Sequence, residues 1–475
     1  MIDVAARLVG NVNFGPNLTR VKKNPMRYRT EVARERSNKF AATGISGVSM
    51  SIVAKGAINR GSGSRIERHR TLRLPEERWN SIRRSIALIA LLHGVLAVVT
   101  NSAHPQDAIF PFHIGYVHLD NDPRQNARNV YYQIPVIPMG RAVSGAEVAI
   151  LDSEFIGREI GIDFDLEVAR NDNMEALAVV IGRWVESGIH FIVADLPATE
   201  LLWLADSVSG LDVTIFNVSA TDDILRGGQC RLNVIHAIPS ERMLTDAMVQ
   251  LLTERRWSDV LVLRGPTLED RAIVDALTQS AAAFGANIVE IRDFATDPRN
   301  AAATNVALLT AGPEHDVVFV ADATGEFAAT VPYQTNDSRL VVGSAGLVAA
   351  AWHWSWERSG APQLNARFEF LAERRAGPED WAAWVSVRAV VQSVLRTAST
   401  DYFDLLGYLM SDQISLDGAK GIPLSIRPWD HQLRQPILIT TSNHVVERAP
   451  LEGFINPVND LDTLGVPQSQ SACRF

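Results

Sequence analysis

Acidic side chains recur where short apolar segments of the sequence end. Six carboxylates stand at such ends: Asp120, Asp122, Asp195, Asp222, Asp322 and Glu326. If several converge at one edge of a sheet, they form an oxygen-rich, negative site that suits a hard cation or a cationic complex. Asp is also a favoured helix N-cap, and each of these residues stands just before a predicted helix. Capping is therefore the alternative for any single one, and Asp222 is its plainest candidate.

Other polar and aromatic side chains at equivalent positions extend the candidate ligand site. The polar ones are Thr199, Ser219, Thr221, Arg264, Thr324 and Ser344. Trp352 and Trp354 would face one side of an extended segment, where they could stack on a ring-shaped ligand such as a quinone cofactor. A core cluster at the hinge is the alternative for these tryptophans. The sequence assigns no metal.

Motifs for catalysis are missing from the sequence. It contains no Gly-x-Ser-x-Gly elbow, no phosphate-binding loop, no His-Glu-x-x-His and no Gly-x-Gly-x-x-Gly after the first strand. Its histidines are scattered, with none paired at a metal-ligand spacing. We therefore expect a protein that is not an enzyme and that needs no cofactor of its own.

Apolar segments alternate with helical patterns from Ile109 onward. Predicted strands are 114–119, 191–194, 213–217, 260–263, 288–291, 317–320 and 340–342. Predicted helices are 144–154, 175–187, 201–207, 242–255, 268–284, 299–310 and 381–398. Buried strands that alternate with helices indicate α/β architecture with parallel sheets covered on both faces. Because these units are too many for one sheet, we expect two doubly wound lobes, with the ligand beyond the carboxyl ends of the strands.

The same pattern predicts how the chain is divided. We expect a first lobe, a second lobe, a return to the first, a C-terminal hairpin near the hinge and second lobe, and a tail: 109–236, 237–354, 355–415, 416–450 and 451–475. Crossings between the lobes are predicted near His236, near Trp354 and around 411–421. A hinge of three segments would let the lobes close on a ligand.

Charge is divided unevenly along the chain. The net charge is −9, but residues 1–84 carry 18 basic and 6 acidic side chains, whereas residues 85–475 carry 27 basic and 48 acidic ones. The strongly negative region 85–475 would repel the phosphate backbone of a nucleic acid, which excludes nucleic acid as its partner.

The first hundred residues contain an export pattern. Residues 1–80 lack any sustained period, and we interpret them as a basic, disordered extension. Arg83 and Arg84 then precede the apolar run 86–99, which is too short to span a bilayer and has the length of a signal-peptide core. We therefore predict a Sec-type signal at about 81–103 and a translation start closer to it than Met1. A short buried helix or an uncleaved anchor is the alternative.

The two cysteines, Cys230 and Cys473, can form a single disulfide. Such a bond requires an oxidising compartment, so the predicted export favours it. It would fix the Pro-rich tail, which otherwise has nothing to hold it in place. Two free thiols are the alternative.

Four short motifs follow one another along the chain: 144–152 with a strand at 163–169, the Ser-Ala-Thr-Asp turn within 218–222, the strand entry 256–260 and the Gly-x-x-Gly turn within 342–347. Together they resemble type I periplasmic binding proteins of the branched-chain amino-acid class. Their order along about 110–450 matches the family. The resemblance implies the type I fold and a soluble receptor for small ligands.

Within that family, the chain is most similar to the subgroup associated with PQQ-dependent alcohol dehydrogenase systems. The matching stretches are 225–233, 381–390, 418–434 and 473–474. This similarity implies a periplasmic, monomeric substrate-binding protein that works with an ABC permease and ATPase on a small molecule or metal complex, in some relatives in lanthanide uptake. Asp195 stands where amino-acid binders hold a carboxylate, and its charge disfavours a standard amino acid. A periplasmic sensor of the same fold that does not transport is the alternative function.

Overall fold

The structure, a computed structural model, describes residues 109–125, 140–295 and 304–475, together with the backbone of a strand pair at 128–129 and 135–136. The predicted extension and signal peptide lie outside the described residues. Among the helices of the described residues, none has the length and hydrophobicity needed to cross a membrane.

The first lobe is built on a five-stranded parallel sheet. Its first strand is β1 (Phe110–His118), followed by the short antiparallel pair β2 (Arg128–Asn129) and β3 (Pro135–Val136). The other sheet strands are β4 (Ile162–Arg170), β5 (Phe191–Asp195), β6 (Thr214–Asn217) and β7 (Val234–His236). The order across the sheet is β4-β1-β5-β6-β7. Three helices connect these strands: α1 (Val143–Glu159), α2 (Met174–Glu186) and α3 (Ala198–Ser207).

The second lobe repeats this arrangement with four strands. Helix α4 (Glu241–Glu254) leads into β8 (Asp259–Arg264), α5 (Leu268–Phe284), β9 (Asn287–Asp293), α6 (Val306–Thr310), β10 (Val317–Ala321) and β11 (Leu340–Gly343). The parallel order is β11-β10-β8-β9. Local sequence fixes where helices begin, because Ser240 caps α4 and Thr267 forms a capping box with Asp270 on α5.

The chain then returns to the first lobe. A short strand, β12 (Val348–Ala350), precedes α7 (Ala361–Ala372), α8 (Pro378–Thr397) and α9 (Tyr402–Leu409). Helix α8 packs closely against α1, because Gly145 has no side chain: a Cβ there would lie 1.9 Å from the carbonyl oxygen of Asp380. The buried face of α8 completes the apolar core of the first lobe.

Alternating side chains of each sheet enter two separate cores. On β1, Ile114 and Tyr116 face α1 and α8, whereas Val117 faces the core that includes α2 and α3. In the second lobe, Val260 and Val262 lie in one core and Leu261 in the other. Both sheets are therefore covered on both faces, as the continuous apolar runs predicted.

The third crossing between the lobes lies later than predicted. After α9 come β13 (Leu416–Asp417), β14 (Pro423–Ile426), β15 (Leu433–Arg434), β16 (Ile437–Thr440) and β17 (Val445–Ala449). Leu416, Leu424 and Leu433 are buried in the core of the first lobe, whereas Ile439 is buried in that of the second. The chain therefore crosses near 435–439 and not around 411–421, and residues 416–434 belong with the first lobe rather than near the second.

A small antiparallel sheet, β12-β16-β17, lies where the second and third crossings meet. The first crossing, 237–240, joins β7 to α4, close to the predicted position at His236. The second leads from β12 to α7 through 351–360, the segment that contains Trp354.

The predicted disulfide between Cys230 and Cys473 is present in the structure. It links the loop between β6 and β7 to the C-terminal tail, across a sequence separation of 243 residues.

Candidate ligand-binding site

Three strands of the first lobe end at one edge of the sheet, and polar side chains meet there. Asp122 follows β1, Asp195 ends β5 and Ser219 follows β6. All three contact the guanidinium of Arg124: its Nη2 lies 2.6 Å from Asp122 Oδ2 and 3.0 Å from Asp195 Oδ1, and its Nη1 donates to Ser219 Oγ at 3.1 Å. We call Asp122, Arg124, Asp195 and Ser219 the lobe 1 half-site.

Charge in the lobe 1 half-site is closely balanced. Asp122 and Asp195 are buried, and a second guanidinium, that of Arg141, lies 3.6 Å from Asp122. Burial alone would raise the pKa of Asp122, but hydrogen bonds from Arg124 and its charge outweigh that effect and lower it. Burial likewise opposes the charge of Arg124, but its hydrogen bond to Asp122 and the charge of Asp195 raise its pKa. Both groups therefore stay ionised.

Three buried polar atoms near this half-site have no hydrogen-bond partner among the described residues. They are Asp195 Oδ2, Arg141 Nη1 and the hydroxyl oxygen of Tyr116. Burial, followed by the charge of Asp195, raises the pKa of Tyr116 well above its usual value, so its hydroxyl keeps its proton. Leaving such groups unsatisfied costs free energy, which a water molecule or a ligand can recover.

Glu379 adds a third carboxyl beside this half-site. It lies on the first turn of α8, and its side chain reaches solvent. Desolvation of its carboxyl by the surrounding protein raises the pKa of Glu379, and the charges of Asp380 and Asp195 raise it further. A hydrogen-bond donor on a ligand would find acceptors at this edge of the sheet.

The predicted site residues that follow β10 in the second lobe form hydrogen bonds within their own turn. Asp322 accepts hydrogen bonds from the backbone N–H groups of Thr324, Phe327 and Ala328, and from the Thr324 hydroxyl. Its own N–H donates to Ser344 Oγ at 3.0 Å. This carboxylate therefore acts as a cap, as the capping alternative predicted. Glu326 belongs to the same turn, and its N–H donates to Thr324 Oγ1.

Arg264, which ends β8, forms a two-point ion pair with Asp293 at the end of β9, with Nε 2.7 Å from Oδ1. The side chain is partly exposed, but its charge is already matched by this partner.

Three further predicted residues of the first lobe lie outside the lobe 1 half-site. Asp120 is exposed, 3.6 Å from Arg170, and Thr199 is exposed on the first turn of α3. Asp222 precedes a 3₁₀ turn, but its side chain makes no capping hydrogen bond, so its interpretation as a plain cap is wrong.

Trp352 and Trp354 do not form a common wall. Trp352 is buried in the core of the first lobe, where it stacks on Trp381 and donates to Asn365. Trp354 instead stacks against the guanidinium of Arg375 at 3.5 Å and lines a cavity of about 720 Å³ between the second crossing, α7 and β17. For Trp352 the core alternative holds.

Thr221 contacts the second lobe beside the first crossing. Its hydroxyl donates to Glu241 Oε1 at 2.7 Å, on the first turn of α4. Burial raises the pKa of Glu241 to about 7, and the nearby Asp223 and Asp222 raise it further, against the Thr221 hydrogen bond and the charge of Arg226. This contact joins the two lobes through a carboxyl that titrates near neutral pH.

We predict that Glu241 makes the protein less stable as the pH rises. In the unfolded chain the carboxyl loses its proton near pH 4.5, whereas in the folded protein it keeps it until about pH 7. The folded state therefore binds more protons between these values, and stability falls by about 3 kcal/mol as the pH rises through them. Urea unfolding at pH 5 and pH 8 should show this loss, and Glu241→Gln should remove that part of it.

Glu254→Gln, at the exposed end of the same helix, is the matched control and should behave as wild type. The same pH dependence in wild type and Glu241→Gln would contradict the assignment.

A second group of titratable side chains lies elsewhere on the first lobe. His113 Nδ1 lies 3.7 Å from a carboxylate oxygen of Asp165 and 3.9 Å from one of Glu167. The three could hold a metal ion, and sequence spacing did not show this because they lie on neighbouring strands, β1 and β4. All three are partly exposed, and charged residues are common on edge strands such as β4, where they discourage pairing with other chains.

The basic side chains at the lobe 1 half-site, those of Arg124 and Arg141, were not predicted to contribute, nor was Glu379. The Asp-x-Arg spacing at 122–124 was the available signal, because a short turn lets such an Arg fold back onto the carboxylate two residues earlier.

The described architecture is that of a type I periplasmic binding protein, and solved structures share it. A periplasmic binding protein from Burkholderia mallei is 13% identical, with a TM-score of 0.55, over 77% of this chain and 98% of that one. A branched chain amino acid ABC transporter periplasmic ligand-binding protein from Burkholderia xenovorans is also 13% identical, with a TM-score of 0.58, over 76% and 98%. An ABC transporter solute binding protein from R. palustris in complex with benzoate is 11% identical, with a TM-score of 0.54, over 76% and 99%.

At such low identity these similarities establish the fold alone. No protein-family model matches the sequence. No curated protein matches it either.

Proposed function

We propose that this protein is the periplasmic substrate-binding component of an ABC transporter, which captures a small ligand between its lobes by hinge closure. Two lobes joined by three crossings, with polar side chains at the carboxyl edges of the strands, support this function. The structural neighbours are named as solute-binding proteins and not as enzymes. Export through the segment at 81–103 and delivery to a membrane permease and its ATPase belong to the same proposal.

The lobe 1 half-site is the observation that carries the proposal. It lies where the fold presents ligands, and it contains a buried carboxylate oxygen, Asp195 Oδ2, that has no hydrogen-bond partner among the described residues. A receptor needs fixed polar groups that become satisfied when the ligand binds. Arg124 fixes Asp195 through its other oxygen, so Oδ2 is held ready to accept a hydrogen bond.

The same geometry favours an organic ligand over a bare hard cation. Asp122 and Asp195 are compensated by Arg124, and Asp322 is used by its own turn, so the carboxylates predicted to line the cleft do not converge as a free set. A cation would have to displace a guanidinium from two buried carboxylates. An organic molecule that donates hydrogen bonds, or a metal held in an organic complex, meets no such cost.

The link with PQQ-dependent alcohol oxidation is part of this proposal. It is supported by the similarity of 225–233, 381–390 and 418–434 to the subgroup associated with those systems. Some of the structural neighbours are named in complex with leucine, benzoate or 3,4-dihydroxy benzoic acid. Small organic acids, PQQ and metal complexes are therefore the first compounds to test.

Asp195→Asn should weaken ligand binding by about 10- to 100-fold, because a hydrogen bond to a charged group contributes about 1.5–3 kcal/mol. Ser219→Ala should weaken it less, because this hydroxyl is neutral. The measurement is isothermal titration with the compound that most raises the melting temperature in a panel of organic acids, amino acids, PQQ, Ca²⁺ and La³⁺. Asp120→Asn is the matched control, because Asp120 is exposed and lies outside the lobe 1 half-site. Unchanged affinity in both Asp195→Asn and Ser219→Ala would remove the half-site from the binding function.

A further inference from the structure

An imidazole and two carboxylates meet on one face of the first sheet. His113 on β1 pairs directly with Asp165 on the neighbouring strand β4, and Glu167 stands two residues further along β4. Because side chains alternate between the two faces of a strand, all three project from the same face. Their ligand atoms lie within 4.8 Å of one another. The register of β1 with β4 therefore brings one nitrogen and two oxygen atoms together, and we call these three residues the strand tripod.

The strand tripod lies apart from the lobe 1 half-site. Asp195, the half-site carboxylate at the end of β5, follows the alternation of Phe191 and Val193, which face the core with α1 and α8. His113 alternates with Ile114 and so projects from the opposite face, which α2 and α3 cover. It stands in the first half of β1, whereas the half-site lies at the carboxyl ends of the strands. The two sites share no residue, so the tripod does not depend on the ligand of the proposed function.

The imidazole of His113 is largely buried, with 25% of its side chain exposed. The ring of Trp184 on α2 covers the nearby Gly115 so closely that a Cβ there would lie 2.7 Å from it. Nδ1 of His113 is buried and has no hydrogen-bond partner among the described residues. An unsatisfied buried nitrogen costs free energy, which a bound ion can recover.

The neighbouring carboxylates do not satisfy this nitrogen by a hydrogen bond. Nδ1 lies 3.7 Å from Asp165 Oδ2 and 3.9 Å from Glu167 Oε1, both beyond hydrogen-bond length. Two atoms that each lie about 2.0–2.1 Å from a tetrahedral ion are about 3.3 Å apart, so the two observed distances are about half an ångström too long. Both carboxylates are partly exposed, and small side-chain rotations can close that gap.

The donor atoms indicate which ions suit the strand tripod. Imidazole nitrogen is a preferred ligand of Zn²⁺, Cu²⁺ and Ni²⁺, and carboxylate oxygens complete many zinc sites. A hard cation such as Ca²⁺ instead takes about six to eight oxygen ligands. Three protein ligands leave at least one coordination position for water. The tripod therefore fits a divalent transition-metal ion better than a hard cation.

We propose that His113, Asp165 and Glu167 bind a divalent transition-metal ion, with Zn²⁺ as the expected occupant, and that the ion ties the edge strand β4 to β1. In the described sheet, β4 pairs with β1 alone. The ion binds only where the two strands are in register, so it stabilises the folded protein. The alternative is that these charges only discourage other chains from pairing with the edge.

Isothermal titration with Zn²⁺ measures this site directly. The full chain is purified without a histidine tag and treated with a chelator, which is then removed by dialysis. We expect one ion per chain, with a dissociation constant on the order of micromolar. At about 100 times that concentration, Zn²⁺ should raise the melting temperature by about 5 °C.

Variants of the strand tripod test the ligands one by one. His113→Ala and Asp165→Asn should each weaken Zn²⁺ binding by at least about 10-fold, because changes even to the partners of metal ligands typically cost about 10- to 100-fold. Asp163→Asn is the matched control: Asp163 is exposed, lies two residues earlier on the same face of β4 and is outside the tripod. It should bind Zn²⁺ as wild type does. Melting curves without metal confirm that each variant is folded.

Cu²⁺ reports on the nitrogen ligand itself. Electron spin echo envelope modulation of the Cu²⁺-loaded wild type should show the signal of one imidazole ring. That signal should disappear in His113→Ala and persist in Asp163→Asn. A substitution that only loosened the sheet would leave it in place.

The outcomes separate the strand tripod from its alternatives. One ion per chain, the imidazole signal and weaker binding in both ligand variants support the site. Equal Zn²⁺ affinity in wild type and His113→Ala, no imidazole signal, or a dissociation constant above about 1 mM overturns it and leaves the charges as protection of the edge strand. Greater stabilisation by Ca²⁺ or La³⁺ than by Zn²⁺ overturns the choice of a transition metal. None of these results bears on ligand capture between the lobes, because the half-site contains none of the three residues.

Discussion

Replacing Arg124 with methionine should lower the free energy of unfolding by about 3–5 kcal/mol, which is the expected cost of breaking a buried ion pair from one side. Asp122 and Asp195 are both buried, and Arg124 is the group that contacts both of them. Without it, the two buried carboxylates lose their shared partner, and within the described part of the chain Arg141, 3.6 Å from Asp122, is the one other residue that forms an ion pair with either of them. Urea unfolding followed by tryptophan fluorescence measures the loss, and ligand affinity should fall with it.

Two comparisons make this result specific. Arg158→Met removes an exposed pair with Glu154 on the surface of α1 and should cost no more than about 0.5 kcal/mol. The triple variant Asp122→Asn/Arg124→Met/Asp195→Asn removes both buried negative charges along with the positive one, so it should recover much of the lost stability. A loss in Arg124→Met no larger than that in Arg158→Met would show that the cluster is not electrostatically coupled.

Loss of the disulfide is the other large expected effect. Cys230→Ser/Cys473→Ser should lower the free energy of unfolding by about 2–5 kcal/mol, because the bond closes a very long loop and restricts the unfolded chain. Denaturant unfolding with and without reductant measures this: wild type should lose stability on reduction, and the double variant should be insensitive to it. Two titratable thiols in non-reduced, unfolded wild type would contradict the bond itself.

Much of the fold follows from local pattern. The strands at 191–194, 260–263 and 317–320 were predicted within a residue or two of β5, β8 and β10, because parallel strands buried on both faces are continuous apolar runs bounded by turn residues. Helix α5 was predicted at its observed bounds from its apolar spacing, and in the structure Thr267 caps its start and Gly285, in the left-handed conformation, ends it. Helices α7 and α9 were not predicted, since their apolar faces are short and become evident only against the rest of the first lobe.

The third crossing shows where local pattern stops being informative. Residues 416–434 have the composition of a hairpin, but composition does not show which lobe buries it. Burial of Leu424 and Leu433 in the first lobe is a long-range contact, and it moves the crossing to 435–439.

The positions of several site residues were predicted, but the charge balance of the site was not. Asp122, Asp195 and Ser219 were expected at the strand ends, and the structure brings them together. Their convergence on Arg124 depends on how the chain turns after β1, which no periodicity shows. Asp322 was predicted as a ligand-binding residue for the same reason. Sequence pattern does not distinguish a carboxylate that faces a ligand from one that accepts hydrogen bonds from the backbone N–H groups of its own turn.

The trapping of a small organic ligand without chemical change is the central claim, and a thermal-shift panel followed by mass spectrometry tests it most directly. The purified protein is mixed with small organic acids, amino acids, PQQ, Ca²⁺ and La³⁺, and the stabilising compound is then recovered from the complex. An organic compound at 100 times its dissociation constant should add about 2.7 kcal/mol of stability and should be recovered intact. Stabilisation by the free metal ions alone, or recovery of a chemically altered compound, would contradict this account.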